Sequence, residues 1–296
     1  MPFFTVFIPT YNRAYTLNRC LDSLINQSFK DFEVVVVDDG STDNTQKIIN
    51  KYQHQLPIRY FWKENGGKHT AINLGIENAA GEMFIILDSD DYFTEDALKQ
   101  FYMHWNEIKD KDHFCGIMMR CREIGKEQIH GNLFPKNYFI SNYVDFHFVS
   151  GVKNGGYGDC CECLRTEILK RYRFPIVEGV RFVPEAYITD QIGLKYQMMC
   201  FNEVVKIIEY QSDGITRNRD NFVQKNSLGY LYNVISKLEY IFPHTKGIRL
   251  KIKISYWYDY WNFQKMNANN SEIRVKRISF LGCITKVAYP VIRLLK

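Results

Sequence analysis

The first 110 residues alternate four times between a short apolar run and a segment with a helical apolar stripe, and nothing else in the chain restricts the fold as much. The runs are Phe3–Ile8, ended by Pro9, then Phe32–Val37, Ile58–Trp62 and Met83–Leu87. The second holds four consecutive valines, which suits a strand covered on both faces. Between the runs, Leu17, Cys20, Leu21, Leu24 and Ile25 fall on one helix face, and Asp43 or Ser41 is placed to cap a helix over Thr45–Tyr52. Gly66-Gly67 turns the chain into a third helix ending near Gly81. A fourth, Glu95–Ile108, directs Leu98, Phe101, Tyr102, Trp105 and Ile108 inward. Such β-α repeats predict an α/β fold with a mostly parallel central sheet, covered by helices on both faces.

Beyond Lys109 the pattern loosens. Cys115–Met119, Asp145–Val149 and Val204–Tyr210 read as strands, and Arg165–Tyr172 and Asp190–Met199 as helices. Over residues 248–263 a strand period competes with helical spacing of Leu250, Ile254, Trp257 and Trp261; helix is preferred, giving a helical C-terminal extension. The net charge of +5 conceals an asymmetry. Residues 246–296 carry eleven Lys/Arg against two Asp/Glu, so the body is mildly acidic and the aromatic-rich tail strongly basic. An anionic surface such as membrane phospholipid suits that tail, through an interfacial face built on Tyr256–Trp261 and Ile278–Leu295; a helical cap with solvated lysines is the plainer account. Nucleic acid is disfavoured, since no recognisable module is present and the central acids oppose it.

Eight scattered cysteines predict reduced, cytosolic thiols, and Cys160/Cys163 lacks the second pair a zinc site would want. The amino terminus reads as having no secretory signal, and no stretch reaches the ~20 apolar residues of a spanning helix. The expected location is cytoplasmic, at the inner face of the membrane if the tail binds lipid.

Acids recur at the ends of two expected strands, Asp38-Asp39 after the second and Asp88-Ser89-Asp90-Asp91 after the fourth. In a parallel sheet both ends face one rim, where open α/β sheets bind ligands. Helix capping accounts well for Asp43 but poorly for three acids in four residues. Those acids repel one another unless a cation joins them, and a divalent cation holding a diphosphate is the natural candidate.

Val6-Phe7-Ile8-Pro9-Thr10-Tyr11-Asn12-Arg13, Val36-Val37-Asp38-Asp39-Gly40-Ser41-Thr42, Asn65-Gly66-Gly67 and Leu87-Asp88-Ser89-Asp90-Asp91 together resemble the ordered signatures of family 2 glycosyltransferases. The resemblance is strong over residues 3–110 and weaker to about residue 217. It implies a GT-A (Rossmann-like) fold over residues 1–217, with a nucleotide-sugar half (1–110), an acceptor half (111–217) and a C-terminal region (218–296). It also implies inverting transfer of a sugar, from a UDP-linked nucleotide-sugar, to a hydroxyl of a glycan or polyprenyl-linked acceptor, as in capsule or O-antigen assembly.

By the same resemblance, Pro9, Thr10, Tyr11, Asn12 and Arg13 line the nucleotide pocket and Asp39 accepts from the uracil imide. Gly67, Lys68, Asp88 and Ser89 contact the donor. Asp90 and Asp91 hold Mn²⁺ or Mg²⁺. The general base corresponds to Asp190, preceded here by Thr189 where the family has Glu, with Glu185 in reserve. Asp159, Thr216 and Arg217 fall near the acceptor or diphosphate. Two other readings stay open: a sugar nucleotidyltransferase, and a non-catalytic nucleotide- or carbohydrate-binding module. Oligomeric state is likewise open, a homo-oligomer included.

Overall fold

Four apolar runs become four adjacent parallel strands. In the computed structural model, which describes residues 1–136, 138–149, 156–211, 219–270 and 272–294, β1 (Phe4–Thr10) lies between β2 (Phe32–Asp38) and β4 (Met83–Ile86), and β3 (Ile58–Trp62) flanks β2. Every residue of β1 and β2 is buried, which is why their sequences are nearly continuous apolar runs. Pro9 lies inside β1, opposite Val37, rather than ending it. The Phe7 carbonyl accepts from Leu87 N at 2.9 Å, so Pro9, two residues on, faces the same side, where β4 has already ended. Its missing N–H therefore leaves no ladder bond unmade.

Helices α1 (Ala14–Ile25), α2 (Thr45–Tyr52), α3 (Lys68–Asn78) and α4 (Ala97–Glu107) follow these strands nearly as expected. Tyr102, expected inward, is instead 37% exposed at the edge of a cluster with Phe3 and Phe29.

The second half departs further from expectation. It contributes β5 (Tyr92–Phe93), β6 (Phe114–Glu123), β7 (Tyr138–Ser141), β8 (Cys160–Arg165) and β9 (Gln197–Ile208). The sheet order is β3-β2-β1-β4-β8-β6-β9-β5, with β7 on β9. Strands β5, β7 and β8 run against the other six, so the sheet is mixed yet predominantly of one direction. Strands β5, β7 and β8 have no counterpart among the expected strands. The helix expected over Arg165–Tyr172 is a single turn, α5 (Thr166–Leu169). The helix expected over Asp190–Met199 is displaced: α6 runs from Ala186 to Gly193, and β9 begins at Gln197 because Met198 and Cys200 alternate into the core. The strand expected at Asp145–Val149 is a π-helical turn, held by Phe148 packing edge-on against Phe242 and Tyr256 of the C-terminal helices.

Those helices are α7 (Arg219–Lys225), α8 (Ser227–Ser236) with a π-helical continuation Lys237–Ile241, α9 (Phe242–His244), α10 (Leu250–Met266) and α11 (Phe280–Leu294). In α10 the spacing of buried Trp257, Tyr260 and Phe263 prevails over the alternation at its start. With Leu231, Val234 and Val275 they form a core of their own. A second cluster, Val144, Phe148, Ile241, Phe242 and Ile248, fastens this region to the π-helical turn. No helix among the described residues is long and apolar enough to cross a membrane. All eight cysteines are free thiols.

Candidate active site

The order β3-β2-β1-β4 places the ends of β2 and β4 on either side of β1, at one rim of the sheet. A cavity of about 1200 Å³ opens there, larger than the ~300–1,000 Å³ typical of a single small-molecule site. Thr10, Tyr11, Arg13, Asp39, Gly67, Lys68, Asp88, Ser89, Asp90, Asp91, Asp159 and Glu185 all border it, as does Pro9. Residues far apart in sequence are thus brought together around one space.

The β2 end is built around Asp39, only 5% exposed. Its Oδ1 accepts from Lys63 Nζ (2.5 Å) and Gly66 N (2.9 Å), and its Oδ2 from Gly67 N (2.8 Å). Oδ2 keeps a second acceptor position for a ligand. Gly67 has φ +91, and a Cβ there would lie 1.7 Å from Arg181 O, so only glycine lets this turn pass beneath the 181 loop. The buried Thr10 hydroxyl, on the cavity wall, has no partner among the described residues. Asn12, at φ +50, is not on the cavity wall. Its N donates to Ser41 Oγ (2.9 Å) and its Oδ1 accepts from Thr42 N (2.8 Å). It splices the two loops and does not line the pocket expected for it.

At the β4 end the three acids have different surroundings. Asp88 Oδ1 is 2.8 Å from Lys68 Nζ, which also lies 2.9 Å from Glu185 Oε1. Burial alone would raise the Asp88 carboxyl, but Lys68 and Lys206 outweigh it and hold it below the usual range. The two carboxylates in turn keep Lys68 firmly protonated despite its burial. Asp91 points into the protein: its Oδ2 is 3.4 Å from the buried Lys206 ammonium and its Oδ1 accepts from Glu209 N (3.2 Å). Burial and the neighbouring Asp88 and Asp90 push it up to about 6. Among the described residues no lysine lies within 4 Å of the Asp90 carboxylate; Arg13 Nε approaches it at 3.9 Å. Burial, then the charge of Asp88, raise the Asp90 carboxyl.

These surroundings fit a divalent cation only in one way. Among the described residues no three acidic, histidine or cysteine side chains are grouped to hold a metal by themselves. Asp90 remains as one carboxylate in a site short of positive charge, which matches a Mg²⁺- or Mn²⁺-type ion completed by phosphate oxygens. Asp91, expected as a second ligand, has its carboxylate committed to Lys206 and the Glu209 backbone N–H.

The residues expected on the acceptor side differ most from expectation. Asp190 lies within α6, fully buried, and does not border the cavity. Its Oδ1 is 2.6 Å from His147 Nδ1 and its Oδ2 is 2.9 Å from Lys237 Nζ, itself fully buried. A base must reach the hydroxyl it deprotonates, so Asp190 is not placed to act directly. Glu185 does border the cavity, but is paired with Lys68. Asp159 sits at the far lip, accepting from Tyr210 Oη at 2.5 Å. Thr216 and Arg217 lie outside the described residues.

Four residues went unremarked in the sequence. Lys63 anchors Asp39, Lys206 neutralises Asp91, His147 lines the cavity, and Glu162 on β8 faces it with its carboxyl pushed by burial to about 7. A lysine inside the apolar Val204–Ile208 run was a legible signal, because a buried ammonium requires a buried carboxylate. His147 had no comparable local signal.

The family model for "Glycosyl transferase family 2" matches residues 5–173, more than half of the chain. Over 120 residues the chain is 42% identical to a chondroitin synthase of Pasteurella multocida (strain Pm70) and, equally, to a hyaluronan synthase of Pasteurella multocida. These matches cover 39% of this chain and 12% of each of those proteins, so the chain corresponds to a small part of them. Among solved structures, S. aureus TarS 1–349 in complex with UDP-GlcNAc superposes with TM-score 0.63 at 20% identity, over 97% of this chain and 87% of that one. The mannosyltransferase PcManGT from Pyrobaculum calidifontis, in complex with GDP-Man and Mn²⁺, gives 0.57 at 17% identity, over 99% and 81%. At those identities the superpositions speak for the fold, and the fold is the GT-A arrangement the sequence implied.

Proposed function

This chain belongs to glycosyl transferase family 2, and from that premise we propose that it moves a sugar from a nucleotide-sugar to a hydroxyl of a glycan or lipid-linked acceptor, with inversion, in cell-surface polysaccharide synthesis. The observation that carries this reading is the single cavity bordered by both acid clusters, with Lys68 joining Asp88 to Glu185 across it. Its volume accommodates a donor and an acceptor together.

In this reading the base and ribose lie against Thr10, Tyr11 and Asp39, and the free acceptor position on Asp39 takes a uracil imide N–H. Asp88 and Ser89 face the donor. Asp90 holds Mn²⁺ or Mg²⁺, which when bound supplies charge neutralisation for the departing diphosphate. Lys68 and Arg13 add positive charge beside it. The acceptor oxygen attacks the anomeric carbon from the opposite face, the C1–O bond to the diphosphate breaks, and its electron pair leaves with the diphosphate. Residues 1–217 form the catalytic unit in this reading, and 218–296 support its acceptor side.

The similarity to TarS in complex with UDP-GlcNAc favours a uridine nucleotide. The relatives' synthase names favour a polysaccharide acceptor. On α11, Phe280 and Val287 are each 82% exposed and Ile284 lies between them on the same face, with Lys276, Arg277 and Lys286 nearby. We read that face as a peripheral contact with an anionic membrane, at its cytoplasmic side. Calorimetry with UDP-, GDP- and dTDP-sugars plus Mn²⁺, followed by nucleoside diphosphate release, tests the proposal. Pyrophosphate release from UTP and a sugar phosphate, or binding without any turnover, would replace it with a nucleotidyltransferase or a binding module.

A further inference from the structure

The residue at the family-like position of the base, Asp190, is sealed inside the protein, yet it holds a histidine that is not. His147 borders the cavity with its side chain 42% exposed, and its Nδ1 is 2.6 Å from Asp190 Oδ1. An ionised carboxylate only accepts hydrogen bonds, so Nδ1 is the protonated nitrogen and donates. Neutral imidazole then carries its lone pair on Nε2, which has no hydrogen bond among the described residues. Asp190 is in turn fixed by Lys237 at 2.9 Å, and Lys237 also donates to Ala186 O at 2.5 Å. The turn bearing His147 is clamped from beneath by Phe148 against Phe242 and Tyr256. Imidazole, carboxylate and ammonium thus form a relay running from the cavity wall into the C-terminal helices.

We propose that His147 is the group that takes the acceptor proton, and that Asp190 is a positioning residue which sets the imidazole tautomer and stabilises the imidazolium; this rests on the transferase reading above. The acceptor O–H bond breaks as the oxygen attacks the anomeric carbon. The proton passes to His147 Nε2, the donor C1–O electron pair departs with the diphosphate, and His147 later returns its proton to water. The arrangement follows the logic by which a buried aspartate orients a histidine base elsewhere in enzymology. Lys237, contributed from outside the sheet domain, explains why the C-terminal helices belong to the acceptor side of the site. The competing bases fit less well. Glu185 is held by Lys68 and Asp159 by Tyr210, whereas Glu162 is the rival the experiment must separate.

The experiment measures nucleoside diphosphate release from UDP-GlcNAc and other UDP-, GDP- and dTDP-sugars with Mn²⁺, water standing in as acceptor, alongside calorimetric donor affinity. His147→Ala should lower kcat at least ~100-fold, within the range for loss of a general base, with donor Kd within about threefold of wild type. Added imidazole should restore part of the His147→Ala rate, a response that a structural role would not give. Asp190→Asn should lower kcat ~10-fold or more without imidazole rescue. Because that change leaves Lys237 uncompensated, its melting temperature is measured too, and His147→Ala carries the test if Asp190→Asn fails to fold. A His147→Ala enzyme within threefold of the wild-type kcat, or a loss confined to donor affinity, overturns the assignment. So does a Glu162→Gln variant that is inactive while His147→Ala is not. Wild-type protein that binds no nucleotide-sugar overturns the transferase reading itself, and this assignment with it, and is distinguished by the calorimetry.

Discussion

Lys68 Nζ lies 2.8 Å from Asp88 Oδ1 and 2.9 Å from Glu185 Oε1, joining the β4 end of the cavity to the start of α6. Lys68 is the first residue of α3. Its neighbours make it the counter-charge for two carboxylates. Lys68→Met should destabilise the ligand-free protein by about 1–3 kcal/mol, because Asp88 and Glu185 would face each other unpaired. Urea unfolding checks this, and an unchanged midpoint would show that water already screens the pair.

Asp90→Asn should remove Mn²⁺-dependent turnover, lowering it at least ~100-fold, since neutralising the leaving diphosphate is the largest electrostatic demand in the site. Asp91→Asn should instead act on stability, by leaving the Lys206 ammonium buried without its partner. Turnover and Mn²⁺ titration of both variants distinguish ligand from scaffold. Equal loss of metal affinity in the two would return Asp91 to the ligand set.

Gly67→Ala places a Cβ 1.7 Å from Arg181 O at φ +91. The expected cost is about 2 kcal/mol or more. Because Gly66 N and Gly67 N both hold Asp39, nucleotide affinity should fall with stability. Melting temperature and calorimetry together read both effects.

Two buried groups give opposite pH slopes. Burial lifts the Glu162 carboxyl from 4.5 to about 7, so the folded state binds more protons across that window and stability falls as pH rises through it, by at most ~3 kcal/mol. Burial lowers His69 from 6.5 to about 4, so the unfolded state binds more protons there and stability is lost as pH falls from 6.5 toward 4. Glu162→Gln should remove the fall between pH 4.5 and 7, and His69→Gln the loss between pH 6.5 and 4. Urea midpoints of the three proteins from pH 4 to 8 check both signs.

If α11 meets lipid, Phe280→Ser with Val287→Ser should reduce flotation with anionic vesicles without lowering the melting temperature, since both side chains are 82% exposed. Added salt should weaken binding further through Lys276, Arg277 and Lys286. Salt-insensitive flotation, or none in wild type, would favour a solvated cap.

The local pattern was sufficient for the rim formed by the first four strands. Helix α2 and strand β3 have the boundaries their periodicity predicts, and Asp39, Gly67, Lys68, Asp88 and Asp90 all border the cavity as their order implied. Short β-α connections make that possible, because consecutive elements are neighbours in the sheet and a motif carries its own surroundings. The wall beyond β4 is assembled otherwise. Strand β8 enters between β4 and β6 from 160 residues along the chain, and Asp190 meets His147 across 43 residues and Lys237 across 47. Whether a carboxylate faces a cavity or the interior depends on which helix covers it, and no spacing within α6 encodes that. The residue types and their order determined the family and the acid-bearing rim. Only packing of the C-terminal helices onto the Asp145–Val149 turn decided that Asp190 is sealed in and that His147 borders the cavity.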